Sequence, residues 1–188
     1  MRRVLSILTL LLLAGTAQAT IVKSLNLEQM TKAADVIVVG EVLARTSAWN
    51  EEKTRIYTVT RIRVAEALKG SSGGDEIEVR QIGGTVDGLT QSIVGNAKLK
   101  EGEEVVLFLD QDERLPYHYV VGMAQGKFSI DRSGKNPLVV RSLAGLALAK
   151  VKDKKIETLK HAPSTPAAVA PTLDAFKAKV RAALQPAP

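Results

Sequence analysis

The chain contains no cysteine. That excludes a disulfide framework, a thiolate zinc site, a cysteine nucleophile and a lipidated N-terminal cysteine. Histidine is almost missing as well: His118 and His161 are the two present, so a metal site built from several imidazoles is excluded. Aromatic residues amount to 4%, too few both to fill a core and to line a groove that stacks bases. The Gly-x-Ser-x-Gly elbow, Ser-x-x-Lys, His-Glu-x-x-His and P-loop patterns do not occur. Beyond residue 19 no apolar run approaches the roughly 20 residues of a membrane-spanning helix. What remains is a 188-residue chain with 45% hydrophobic and 24% charged residues. This is the make-up of one folded domain rather than of a disordered chain, and it calls for no cofactor and no metal.

The most specific pattern lies at the start. Arg2 and Arg3 precede an apolar core from Leu5 to Leu13, and Ala17-Gln18-Ala19 follows as a small-x-small cleavage site. Residues 1–19 read as a secretory signal peptide cleaved between Ala19 and Thr20. The mature chain is expected in the periplasm or outside the cell, with no transmembrane segment. Its charge is uneven. Residues 20–140 hold 15 basic and 17 acidic residues, whereas residues 141–188 hold 9 basic and 3 acidic. A basic tail suits an anionic envelope polymer or a membrane surface as partner. The plainer alternative is a solvated lysine-rich segment.

Asn26 followed by Gln29 forms a capping-box signature for a short helix ending near Ala34. Val36–Val39 is β-branched and apolar on both faces, which predicts a buried strand, and Gly40 marks a bulge or bend within it. Thr54–Leu68 is long for a strand. Its apolar positions change phase between Val59 and Ile62, which predicts a bulge near Thr60 and a strand able to help close a barrel. Asp75–Ile82 alternates cleanly as a half-exposed strand, and Val105–Leu109 reads as buried on both faces. Tyr117–Val121 follows as a strand, then Gly126–Ile130 as the last strand of the barrel, with Leu138–Val140 at an edge. Leu143–Leu159 fits helix or strand. Residues 20–140 are thus taken as one β domain, 141–161 as a basic extension and 162–171 as a Pro/Ala linker. Residues 172–184 form a short amphipathic helix with Thr172 as its cap.

Candidate functional residues are few. The longest irregular stretch runs from Gly83 to Lys98, with Ser92–Val94 as a short strand inside it, and such loops are frequently functional. Gly83 and Gly84 would let backbone approach a ligand, or would serve a turn with positive φ. Arg61 and Arg63 are expected on a solvent-facing strand surface. His118 lacks an orienting carboxylate and a nucleophile in sequence, so it reads as an exposed strand residue. Asp110, Asp112 and Glu113 read as a solvated turn rather than a calcium loop.

The layout from Ala34 to Ile130 carries a resemblance. Ala34-Asp35-Val36-Ile37 opens a strand, Ala67-Leu68-Lys69-Gly70 ends a long second one, and Lys100-Glu101-Gly102-Glu103 precedes an apolar strand. This resembles the OB-fold modules of the netrin and tissue-inhibitor-of-metalloproteinase group, and secreted bacterial proteins of the same layout. The resemblance implies a mainly β protein: a small five-stranded OB-like barrel with a short N-terminal helix and a C-terminal helical extension. In the inhibitors a disulfide-pinned N-terminal cysteine meets a protease zinc. Here Thr20 would stand at that place untethered, at a cost in ordering entropy. The expected function is therefore a non-enzymatic exported module that binds another protein, in an inhibitor-like mode or otherwise. The alternatives are an envelope-surface module whose basic tail binds an anionic polymer or membrane, and an unidentified hydrolase. A net-acidic body and export argue against nucleic acid as partner.

Overall fold

The computed structural model describes residues 20–70, 76–112, 114–152, 155–159 and 169–185. The expected signal peptide, including Ala19 of the cleavage site, lies outside these residues, as do Glu113, His161 and residues 162–168 of the linker. The fold is mainly β with two helices, and its centre is a closed five-stranded barrel.

The strands are β1 (Thr20–Lys23), β2 (Val36–Trp49), β3 (Ile56–Lys69), β4 (Glu76–Ile82), β5 (Gly84–Val86), β6 (Leu89–Gln91), β7 (Glu104–Gln111), β8 (His118–Val120), β9 (Lys127–Asp131), β10 (Leu138–Val140), β11 (Leu146–Lys152) and β12 (Lys155–Leu159). The helices are α1 (Leu27–Ala33) and α2 (Leu173–Leu184). The barrel runs β2-β3-β4-β8-β7 and closes on β2. All neighbours are antiparallel except β4 and β8, which are parallel. Counted along the chain, the barrel strands stand in the order 1-2-3-5-4-1, the Greek-key closure of an OB-like barrel.

Two of the expected barrel features are corrected. The last barrel strand is β8, not Gly126–Ile130. Lys127–Ile130 lies in β9, after a 3-10 turn that ends at Gly126, and β9 pairs with β7 outside the barrel and carries β10 at its far edge. Nor does β3 bulge at Thr60. From Ile56 to Val64 its even positions point inward, with Thr58 and Thr60 buried and Tyr57 and Val59 half-exposed outside. The apparent phase change arose from counting the threonines as polar; their β-branched bodies fit a barrel interior. The register shifts instead fall opposite Leu68 and Ala65 on β3 and at Leu43 on β2, one of them between Val39 and Gly40. These bulges bend two strands of 14 residues around the barrel.

Alternation on β2 and β7 generates two cores. Val36, Val38, Val42, Val105, Leu107 and Leu109 point into the barrel and meet Ile62, Val64, Ile77, Val79 and Leu99. Ile37, Val39, Val106 and Phe108 point outward and meet Phe128, Ile130, Val139 and both helices. That is why Val36–Val39 and Val105–Leu109 read as apolar on both faces. Helix α1 carries the expected capping box: Asn26 accepts from the Gln29 N–H at 2.8 Å, and Gln29 accepts from the Asn26 N–H at 3.0 Å. Thr172 caps α2, whose Leu173, Phe176 and Val180 are buried in the outer core. The undecided stretch from Leu143 is the β11–β12 hairpin, with β1 added in parallel. Among the described residues no helix is long and apolar enough to cross a membrane.

Candidate functional site

One end of the barrel opens into a cavity of about 310 Å³ between Thr58, the end of β4 and the segment 91–100. Thr58 lines it, and its hydroxyl belongs to a short chain of hydrogen bonds. Ser47 on β2 and Thr58 on β3 lie 2.9 Å apart, and the Thr58 hydroxyl donates to the Gly83 carbonyl at 2.6 Å. The backbone crosses directly above them. A Cβ at Gly84 would collide with both hydroxyls, and one at Gly83 would sit 2.8 Å from the Gln91 carbonyl oxygen. Both glycines also hold positive φ, 108° and 143°, where L side chains are strained. Here the pair serves close approach and turn geometry together.

The loop above is not irregular throughout. β5 and β6 form a hairpin joined by Asp87-Gly88 with φ of 52° and 76°, a tight turn with both central residues left-handed. Ser92–Val94, expected as a strand, is not one. Side-chain amides pin the rim: Gln91 accepts from the Ile56 N–H at 2.8 Å, Asn96 donates to the Ile82 carbonyl at 2.7 Å, and Gln81 donates to the Ala97 carbonyl at 3.1 Å. Leu99 then plugs the barrel interior. Arg45, Lys98 and Lys100 line the cavity and no carboxylate does. Ile82 and Ile93 of its lining are exposed, as are Leu89 and Val94 in the same stretch of chain, with Leu89 60% exposed.

The other two candidate residues lie elsewhere. Arg61 and Arg63 point outward from β3, as expected, and are more than half exposed. Each has an acid: Glu76 at 3.6 Å from Arg61 and Glu41 at 3.0 Å from Arg63. Arg61 is three residues beyond Thr58, about 10 Å along the strand, and on the opposite face of the wall. The structure therefore does not bring the arginines and the glycines into one site.

Sequence reading missed a cluster on the outer wall. Arg80 stacks between Tyr57 at 3.9 Å and Tyr117 at 5.1 Å from the ring centroids. Burial raises the Tyr119 hydroxyl above its ordinary pKa beside them, against the opposing pull of Arg80. No local signal places Tyr57 beside Tyr117, since the contact depends on β4 and β8 being neighbours. His118 is half-buried, with Nδ1 3.3 Å from the Glu78 carbonyl. Asp112 accepts the N–H groups of Arg114 and Leu115 at 2.8 and 3.1 Å, as a turn residue does. The Gln111 N–H donates to Asp35 at 3.1 Å and lowers its pKa, while desolvation and the nearby Asp35 raise that of Asp110. Among the described residues no group of three or more His, Asp or Glu is placed to hold a metal ion.

The fold and the mouth together define a class, a closed OB-like barrel with a polar, cation-lined opening and an apolar rim. Comparison with protein-family models and with curated proteins finds no match to this chain.

Proposed function

We propose that the protein is a non-enzymatic interaction module of the exported space and that it binds another protein through the mouth of its barrel. The observation that carries the reading is the rim. Ile82, Leu89, Ile93 and Val94 are exposed within one short stretch of chain, beside a cavity lined by three cations and no acid. Exposed apolar side chains gathered in this way mark interaction surfaces, whereas scattered ones do not. The partner would bring an apolar patch flanked by carboxylates or carbonyls. The glycine crossing and the amide pins hold the rim in place before binding, which limits the ordering cost. Support for an inhibitor-like use of the N-terminus is weaker, because Thr20–Lys23 lies in a parallel ladder with β11. The electrostatic alternative loses part of its basis too. Lys177 and Arg181 of the basic tail are held by Glu66 at 2.9 and 2.6 Å.

The test is affinity capture from the native exported fraction at low and high salt. The chain from Thr20 is the bait, beside its Leu89→Asp/Ile93→Asp variant. A defined protein retained at high salt by the unaltered bait and lost with the variant is the expected result. Equal retention by both baits overturns the mouth as the surface. Capture that vanishes with salt from both baits points to the anionic-polymer reading instead.

A further inference from the structure

A second cavity lies at the edge of the outer core and opens to solvent beside Asn26 and Lys179. It measures about 230 Å³ and is walled by Leu25, Met30, Phe128, Val139 and Phe176. These walls are fixed by hydrogen bonds rather than by chance packing. The Leu25 N–H donates to Gln125, a fully buried amide that in turn donates to the Lys23 and Gly122 carbonyls. On the other side the Val139 N–H donates to the Pro171 carbonyl at 2.9 Å, and the Leu173 N–H to Pro137 at 2.9 Å. Phe128 and Phe176 pack at 4.7 Å between centroids along one wall.

Into this apolar space comes Arg141. Its guanidinium lies 5.2 Å from the Phe128 ring centroid, and its Nε is buried with no hydrogen-bond partner. It has no ion pair among the described residues, and no carboxylate lines the cavity. Lys179 adds a second cation, exposed and without an ion pair among the described residues. Of the other half-buried cations, Lys127 pairs with Glu103 and Lys177 with Glu66, Lys69 donates to the Thr31 and Ala34 carbonyls, and Arg80 lies against two tyrosine rings. An unpaired, partly desolvated guanidinium is costly, and burial depresses its pKa accordingly. A carboxylate arriving with an apolar body would satisfy the guanidinium fork and fill the cavity at once. Scaling from the roughly 150 Å³ that holds benzene, the space takes about nine non-hydrogen atoms.

We propose that the cavity between α1, α2, β9 and β10 is a binding site for a small apolar monocarboxylate, an aromatic or short aliphatic acid, whose carboxylate pairs with Arg141 and whose body packs on Phe128 and Phe176. The site is independent of the barrel mouth.

The test is NMR titration of the full mature chain with phenylacetate and with its neutral near-isostere 2-phenylethanol. Phenylacetate is expected to saturate, with shifts concentrated on the Met30 methyl and the Phe128 and Phe176 rings. The alcohol should bind at least about tenfold more weakly, the loss of one charge-assisted pair. Arg141→Met should abolish that preference while leaving alcohol binding unchanged. Equal affinity for acid and alcohol, shifts located elsewhere, or no saturation in the millimolar range overturns the proposal. Should Arg141→Met fail to fold, the acid–alcohol comparison on the unaltered chain still decides.

Discussion

The two cores of this protein are built from the same strands and differ in kind. The barrel interior is aliphatic, dominated by valine, isoleucine and leucine. The outer core holds all three phenylalanines, Phe108, Phe128 and Phe176, packed tilted or edge-on with centroids 4.7 to 6.4 Å apart, and recruits both helices. A narrow barrel leaves room for short branched side chains on its inner face, while a helix laid over a sheet leaves the wider gaps that rings fill. The contrast teaches that β2 and β7 are not walls with a wet side. They are partitions, and each odd–even pair of residues serves a different neighbourhood.

The largest blow to that division should come from Phe108→Ala on the partition itself. The loss is expected at about 3–5 kcal/mol in chemical denaturation, because truncation opens a void against two other rings. Unfolding that stays in a single transition would show that the cores stand or fall together. A separate early transition confined to the helices would show that they are distinct cooperative units.

Gly84→Ala attacks the barrel end only. Strain at positive φ and the collision with Ser47 and Thr58 should cost about 1–3 kcal/mol. Amide exchange should rise in the β5–β6 hairpin while α1 and α2 stay protected. Exchange rising equally in the helices would erase the distinction between the two ends.

Glu103→Gln tests the half-buried polar seam beside β9. Burial would raise the Glu103 pKa, but the Lys127 ammonium and the Ser129 hydroxyl, which donates at 2.6 Å, outweigh it and hold the carboxyl below its ordinary value. A lowered folded-state pKa gives stability that is present above the unfolded value of 4.5 and lost as pH falls through the folded one. Denaturation curves from pH 7 to 3 should therefore show an acid-side decline that flattens in the variant. At pH 7 the variant should be less stable by about 1–2 kcal/mol. An unchanged acid slope would remove Glu103 from the account.

Leu89→Asp is the smallest perturbation of the fold, within about 0.5 kcal/mol of the unaltered chain, because the side chain is largely in water. Thermal unfolding checks this. A larger loss would mean that the rim is structural rather than a surface kept for a partner.

Much of the frame was legible in the residues. Asn26 and Gln29 announce the helix start, and Val36–Val39 and Val105–Leu109 announce strands buried twice over. Other features were obscured for physical reasons. Thr58 and Thr60 hid the true phase of β3, since a buried threonine counts as polar on paper while behaving as a branched body in a barrel. β8 is three half-buried residues with weak periodicity, so the better-patterned Lys127–Ile130 drew the role of closing strand. The mouth was partly legible through Gly83 and Gly84, and Asp87-Gly88 carries a hairpin signal that marks the turn. The Arg80 stack and the Arg141 cavity were not legible. Both are made by residues brought together only when the sheet order is known.

The barrel is closed by its shortest wall strand. His118–Val120 meets β4 at a single residue pair, Val79 with His118, and meets β7 at three. Mechanically the wall is a long strap with a small clasp. Releasing the clasp would turn the cylinder into an open curved sheet while the phenylalanine side stayed fastened. Under thermal agitation or a pulling force, the parting line of this molecule is therefore set at β4–β8, and not at the mouth where the chain looks most open.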